Sequence, residues 1–252
     1  MLRLDSIKSH IKKIGIYQTF TYLLQRLILR KGSLIKIKVP GLVNSIFLRN
    51  KYYDTHIFHQ IFIREEVSFE YNKPPDIIVD CGANIGLSTL FFQRQFPNAV
   101  IISIEPELSN YHLLQRNIKK YKNIKILHAA VWYKNCFLKI IDTGGGVASF
   151  ITSEAEKPDN SIEEINAYNI SEIMKMFDLE YIDLIKIDIE GSEYEIFKND
   201  SDIWIEKTKI VAVEIHESLK PGATKLIHST LQDKFEMSTL GEYSVFHKNQ
   251  YL

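Results

Sequence analysis

Asp80, Gly82, Ala83, Asn84 and Gly86 fall within seven residues, in the run Asp80-Cys-Gly-Ala-Asn-Ile-Gly86. Glu105-Pro106 follows nineteen residues after Gly86. Glycines after an apolar strand make a tight turn that lets backbone approach a ligand, and an acid at the next strand's tip can take a ribose diol. The chemistry expected is recognition of a nucleoside-bearing cofactor. A dinucleotide fingerprint would carry Gly-x-Gly-x-x-Gly, with a middle glycine making room for a pyrophosphate. Here that middle glycine is missing, and the Asp80 carboxylate would repel a pyrophosphate. An acid there suits a cationic ligand group such as the amino group of S-adenosylmethionine. The amides opening the next helix, near Ser88, suit that cofactor's carboxylate. A nicotinamide-dependent oxidoreductase and a non-catalytic nucleoside-binding protein are the competing readings.

A second group is Lys186-Ile-Asp188-Ile-Glu190-Gly-Ser-Glu193. Period-two spacing would put Lys186, Asp188 and Glu190 on one face where a strand ends. Acids at the carboxyl end of a parallel strand face the crevice where chemistry occurs. Lys186 and Asp188 could also form a structural ion pair. A third group, Glu214-Ile-His216-Glu217, ends a later strand and supplies a histidine able to act as general base near neutral pH. Asp188, Glu190, Glu214 and His216 could hold a hard divalent ion, although no metal is expected. Ala129-Ala130-Val131-Trp132 falls where an adenine ring would lie, and Trp132 reads either as a stacking face or as core.

The elements that must position these groups alternate from Asp76 onward. Strands are expected at 77–80, 100–105, 124–131, 182–188 and 210–215, with helices at about 86–95, 108–121, 170–177, 193–198 and 224–232. Two closing strands are expected near 235–240 and 243–247. The pattern predicts a doubly wound, mostly parallel α/β sheet of seven strands with an antiparallel edge. Residues 1–73 read as an extension made of helices over 4–30, a hairpin of 36–40 with 45–49 around Pro40-Gly41, and a helix from Asp54 to Glu66. The main domain is expected over 74–252. It carries an insertion at about 137–166, with strands over 137–151 and a polar loop over 153–166.

The chain has 252 residues, 45% of them apolar, enough for one α/β domain with additions. Acids and bases balance at 31 each, so no basic field points to nucleic acid. Two cysteines, Cys81 and Cys136, build neither a disulfide framework nor a cysteine-only metal site, which fits a reducing, cytoplasmic setting. The stretch 14–29 is too short and too polar to span a membrane. The first 31 residues carry seven basic groups against Asp5 alone, a pattern able to touch a membrane surface peripherally.

Taken together, these motifs, with Asn117 and the lead-in around Phe58, Gln60 and Phe62, resemble the FkbM-type methyltransferases over about residues 36–247. The Lys-x-Asp-x-Glu-Gly-x-Glu run is the most specific feature. The resemblance implies a Rossmann-like class I methyltransferase that uses S-adenosylmethionine, usually to methylate a hydroxyl on sugars of polysaccharides, glycolipids or natural products. The cofactor would meet Asp80, Gly82, Ala83, Asn84, Gly86, Ser88, Glu105, Pro106, Ala130, Val131, Trp132 and Asp188. Asp188, Glu190 and His216 are the candidates for drawing off the acceptor proton, with Lys186 orienting Asp188. The expected partner is a small-molecule or glycan acceptor.

Overall fold

The computed structural model describes residues 4–142, 150–154, 164–199 and 201–249. Two helices come first, α1 (Leu4–Ile14) and α2 (Ile16–Ile28), broken at Gly15, whose φ of 84° ends the first helix. Strands β1 (Leu34–Lys38) and β2 (Ser45–Arg49) pair antiparallel as the expected hairpin. Helix α3 (Asp54–Phe58) continues as a wider π turn over His59–Arg64 and ends at Glu65 in the left-handed region. The end of α3 and the π turn together put Phe58, Ile61, Phe62 and Ile63 in the interior. Phe58 stacks on Phe62 at 5.4 Å, and Phe62 meets Phe91 edge-on at 5.9 Å. Aromatic pairs of this kind add about 0.5–1.5 kcal/mol beyond the area they bury.

The main sheet is built from β3 (Ile77–Cys81), α4 (Leu87–Gln95), β4 (Val100–Glu105), α5 (Leu108–Ile118) and β5 (Ile124–His128). The chain then leaves it for β6 (Ala130–Val131), β7 (Cys136–Asp142), β8 (Phe150–Glu154) and β9 (Glu164–Tyr168). It returns through α6 (Ile170–Met176), β10 (Ile182–Ile187), α7 (Glu193–Lys198), α8 (Ser201–Glu206), β11 (Thr208–Glu214), α9 (Ala223–Leu231), β12 (Phe235–Leu240) and β13 (Tyr243–Lys248). The seven strands run in the order β12-β13-β11-β10-β3-β4-β5. All neighbours are parallel except β11–β13 and β12–β13, the antiparallel edge. This is the class I methyltransferase fold expected from the sequence. The central strands are mostly apolar because helices cover both faces; β10 is buried along its whole length, Asp183 and Lys186 included.

Three expectations change. The single strand expected over 124–131 is two strands, because Ala129 breaks the ladder and Ala130–Val131 pairs instead with β9. The loop expected over 153–166 is strand at both ends: β8 runs to Glu154, and 164–166 open a strand, 164–168, whose Ile165 and Ala167 point inward between exposed or half-exposed neighbours. They join a four-stranded sheet, β6-β9-β7-β8, around a small core of Ala130, Trp132, Leu138, Ile165 and Ala167. The remainder of the polar stretch, 155–163, and residues 143–149, where the strands expected over 137–151 would meet at Gly144-Gly-Gly146, lie outside the described residues. Helix α8 was not anticipated; six residues with only Ser201, Trp204 and Ile205 buried give too little periodicity to read.

Candidate active site

The turn after β3 is held by amides and tight packing. Gly82 and Ala83 donate to the Ile104 carbonyl at 3.0 and 2.9 Å. Gly82, Asn84 and Gly86 all have positive φ, at 75°, 50° and 86°. Asn84 donates its backbone amide to Glu105 Oε2 at 2.8 Å, while Glu105 Oε1 accepts from the Glu107 amide and Asn110 Nδ2 at 3.0 and 3.2 Å. Burial pushes the Glu105 carboxyl up to about 7, against these hydrogen bonds, which favour its charge. Glu105 is positioned from afar as well. Asn110 Oδ1 accepts from Arg49 Nη2 at 2.6 Å, and Arg49 is gripped by both carboxylate oxygens of Asp54. Asn117, fully buried, bonds the Ile85 carbonyl at 2.9 Å and both backbone groups of Phe47, which ties the hairpin to the turn.

Asp80 is placed differently from the expectation that it faces a ligand's amino group. It is fully buried and does not line the cavity beside the turn. Its Oδ2 accepts from Ser88 Oγ and Thr89 Oγ1 at 2.6 and 2.7 Å, and its cationic neighbour is Lys186 Nζ, 3.4 Å from Oδ1. A carboxylate at that depth needs an internal cation, and Lys186 on the adjacent strand provides it. Trp132 likewise packs into the core of the small sheet and is not among the cavity-lining residues.

The cavity, about 480 Å³, brings most of the other groups together, although Gly86, named with the cofactor turn, is not among its lining residues. Gly82, Ala83, Asn84, Ser88, Glu105 and Pro106 line it, and so do Ala130, Val131, Lys186, Asp188, Glu190 and His216. Strand β10 stops at Ile187, so Asp188 and Glu190 occupy the following turn, with Glu190 at φ 53°. The turn is shaped by Glu193, which is buried and accepts from the Ile189 and Gly191 amides, both at 2.9 Å. Glu193 also accepts from His216 Nδ1 at 3.0 Å. His216 Nε2 then lies 3.5 Å from Glu190, 3.6 Å from Glu214 and 4.0 Å from Asp188. Lys186 Nζ contacts Asp188 Oδ2 at 3.3 Å and donates to the Gly82 carbonyl at 2.9 Å. Tyr243, opposite Glu214 in the β11–β13 register, directs its hydroxyl to Asp188 Oδ2 at 3.4 Å.

Charge crowding sets the protonation. Burial and then Asp188 push Glu190 up to about 7. Burial and the same neighbour raise Glu214. Burial alone would favour neutral His216, but its bond to Glu193 and the charges of Glu193, Asp188 and Glu190 outweigh this and raise it. Lys186 behaves alike: burial opposes its charge, and Tyr243, Asp188 and Asp80 more than restore it. Asp188, Glu214 and His216 present ligand atoms within 4.8 Å of one another and could hold a metal ion.

The comparisons with known proteins fit this geometry. Residues 80–236 match the methyltransferase FkbM domain. This chain belongs to that family. Its relatives include methyltransferase sdnD of Sordaria araneosa, 27% identical over 74% of this chain and 85% of that one. The AMB antimetabolite synthetase AmbE of Pseudomonas aeruginosa is 26% identical over 67% of this chain, which spans 10% of that much longer protein. Among solved structures, methyltransferase FkbM from Methylobacillus flagellatus superposes with a TM-score of 0.50 at 15% identity, over 75% of this chain and 47% of that one. That superposition supports the class I methyltransferase fold.

In this FkbM-domain chain, sequence reading left Glu193, Tyr243, Arg49 and Asn110 without roles. Glu193 stood inside the motif, and its spacing before a helix was the available signal. Tyr243 had none, because a strand that joins the sheet last brings it in. The titrations carry a prediction for stability. Glu105, Glu190, Glu214 and His216 all hold their protons more tightly folded than their ordinary values of 4.5 and 6.5 allow. Their contribution is therefore fully present below those values and is lost as pH rises through the folded ones. Below about pH 7 the lowered values of buried His10 and half-buried His59 and His247 act the other way, so the thermal midpoint should fall from pH 7 to pH 9. A midpoint that rises across this range would show that the groups do not sit in the folded environment described.

Proposed function

We propose that this chain transfers a methyl group from S-adenosylmethionine to a hydroxyl on a sugar of a polysaccharide, glycolipid or natural product. The observation that carries the reading is one cavity lined by both the glycine turn with Glu105 and the Asp188, Glu190, His216 group. The donor set fits the cofactor. Glu105 would take the ribose diol, the apolar Ala130 and Val131 would flank the adenine, and the turn from Gly82 to Ser88 would hold the amino acid end. Without a middle glycine, the same turn offers less room for a pyrophosphate. We also take residues 1–73 as an extension whose hairpin steadies Glu105, and the β7–β9 region as the place where acceptor choice resides.

S-adenosylmethionine, when bound, supplies an electrophilic methyl on a sulfonium. The protein's part is to hold the acceptor oxygen in line and remove its proton. Glu190 is our choice of base, because burial and Asp188 raise its carboxyl to about 7, it opens on the cavity, and it lies away from the Glu105 turn assigned to the cofactor. His216, cationic and fixed by Glu193, stands beside Glu190 to steady its charge. Asp188, held by Lys186 and Tyr243, is placed to accept a hydrogen bond from the acceptor.

Titration calorimetry should show S-adenosylmethionine binding that weakens by about tenfold or more in Glu105→Gln, since one charge-assisted contact is of that order. Absence of binding, or preference for NAD, would overturn the cofactor assignment. In methyl transfer to a panel of glycans, Glu190→Gln should lower turnover by roughly 10²–10⁴ with cofactor affinity unchanged. If Glu190→Gln, Asp188→Asn and His216→Gln each retain near-normal turnover, none of them is the base.

A further inference from the structure

Helix α2 is apolar on the side that the core does not use. Its inner face is fixed: Thr19 and Tyr22 are buried, and Gln18 and Gln25 accept from the backbone amides of Lys38 and Lys36 at 3.2 and 3.0 Å. That rotation leaves Tyr17, Phe20, Leu24, Leu27 and Ile28 outward, spaced as one helical stripe. Tyr17 is 72% exposed, Phe20 64% and Leu27 78%. A contiguous exposed stripe of large apolar side chains marks a surface built for contact.

The surroundings define the occupant. Residues 1–53 contain eleven lysines and arginines and one acid, Asp5, in a chain balanced overall. Lys8, Lys12, Arg30, Lys31, Lys36 and Lys38 are exposed on α1, on β1 and in the turn that follows α2, and α1 and β1 both pack against α2. A second copy docking through the same face would bring two basic rims together, which like charge opposes. An anionic lipid surface accepts both features, burying the stripe at the headgroup boundary and neutralising the rim. Among the described residues no helix is long and apolar enough to cross a membrane, so α2 would lie in the interface plane. We infer that α2 docks this protein on an anionic membrane surface. In the turn after α2, Lys31 lies over the ring of Tyr52, whose chain neighbour Tyr53 lines the cavity. The inference stands independently of methyl transfer.

The test is flotation of the full chain with vesicles. It should float with equimolar phosphatidylcholine and phosphatidylglycerol, and partition about tenfold less onto phosphatidylcholine alone or at high salt. Phe20→Ser with Leu27→Ser should reduce partitioning by about tenfold with the thermal midpoint unchanged, as those side chains are exposed. Arg30→Gln with Lys31→Gln should weaken binding to the anionic vesicles while leaving the neutral ones unaffected. No partitioning onto the anionic vesicles would overturn the proposal. So would a dimer, seen by light scattering, that the Phe20 and Leu27 changes dissociate in a protein that does not float; the stripe would then be a self-interface.

Discussion

Lys186→Met should destabilise the protein by about 3–5 kcal/mol, the range for removing one partner of a buried ion pair. Lys186 is 2% exposed and answers three acceptors at once: the Gly82 carbonyl, Asp80 and Asp188. Asp188 opens on the cavity, but Asp80 does not. Asp80 Oδ1 has no hydrogen bond of its own, so its charge leans on the ammonium beside it. Methionine fills much of the same volume and removes only the charge and the bond to Gly82. For a chain of this size the loss corresponds to a midpoint drop on the order of 10 °C. Adding Asp80→Asn to Lys186→Met should recover part of it, because the orphaned carboxylate is then gone. A urea titration measures both. A loss under about 1 kcal/mol for the single change would mean that Asp80 is satisfied without Lys186.

Gly82→Ala is the second large effect, and it acts through backbone. A Cβ on Gly82 would stand 1.8 Å from the Asp188 carbonyl oxygen and 2.9 Å from its carbon, and φ at this position is +75°. The obstacle is main chain at the tip of β10, so no side chain can swing aside. The two turns must separate. Left-handed strain contributes about 1–2 kcal/mol, and the displaced contacts raise the total to about 3 kcal/mol or more. Cofactor affinity should fall beyond detection at millimolar ligand even where the variant still folds. Gly222→Ala is a matched control, since it has positive φ with nothing within 4 Å. Equal effects of the two alanines would show that the close approach at Gly82 is unimportant.

Local chemistry was readable where the chain itself sets it. The bounds of Val100–Glu105 and Glu193–Lys198 follow from apolar runs ended by turn residues, and the positive-φ turn at 82–86 follows from its glycines. The mostly parallel sheet and its antiparallel closing edge follow from alternating strands and helices ended by two successive strands. Features that depend on a distant partner were not readable. Period-two spacing says which face Asp80 occupies, but not that a lysine more than a hundred residues later fills the space before it. A strand-like stretch from 124 to 131 with no glycine or proline to break it does not reveal that its last two residues hydrogen-bond to a different sheet. The path from Asp54 through Arg49 and Asn110 to Glu105 crosses from the hairpin into α5, and no spacing rule connects those elements.

The contact between Gly82 and the tip of β10 has a consequence for energetics as well as for packing. The Asp188 amide donates to the Cys81 carbonyl, and Lys186 holds the Gly82 carbonyl, so the two turns share adjoining peptides. A ligand that shifts one turn must do work on the other. Thermodynamic reciprocity then requires that whatever factor the first ligand applies to the affinity of the second, the second applies to the first. Cooperativity between two dissimilar ligands would thus need neither a lid nor a hinge; one shared stretch of main chain suffices.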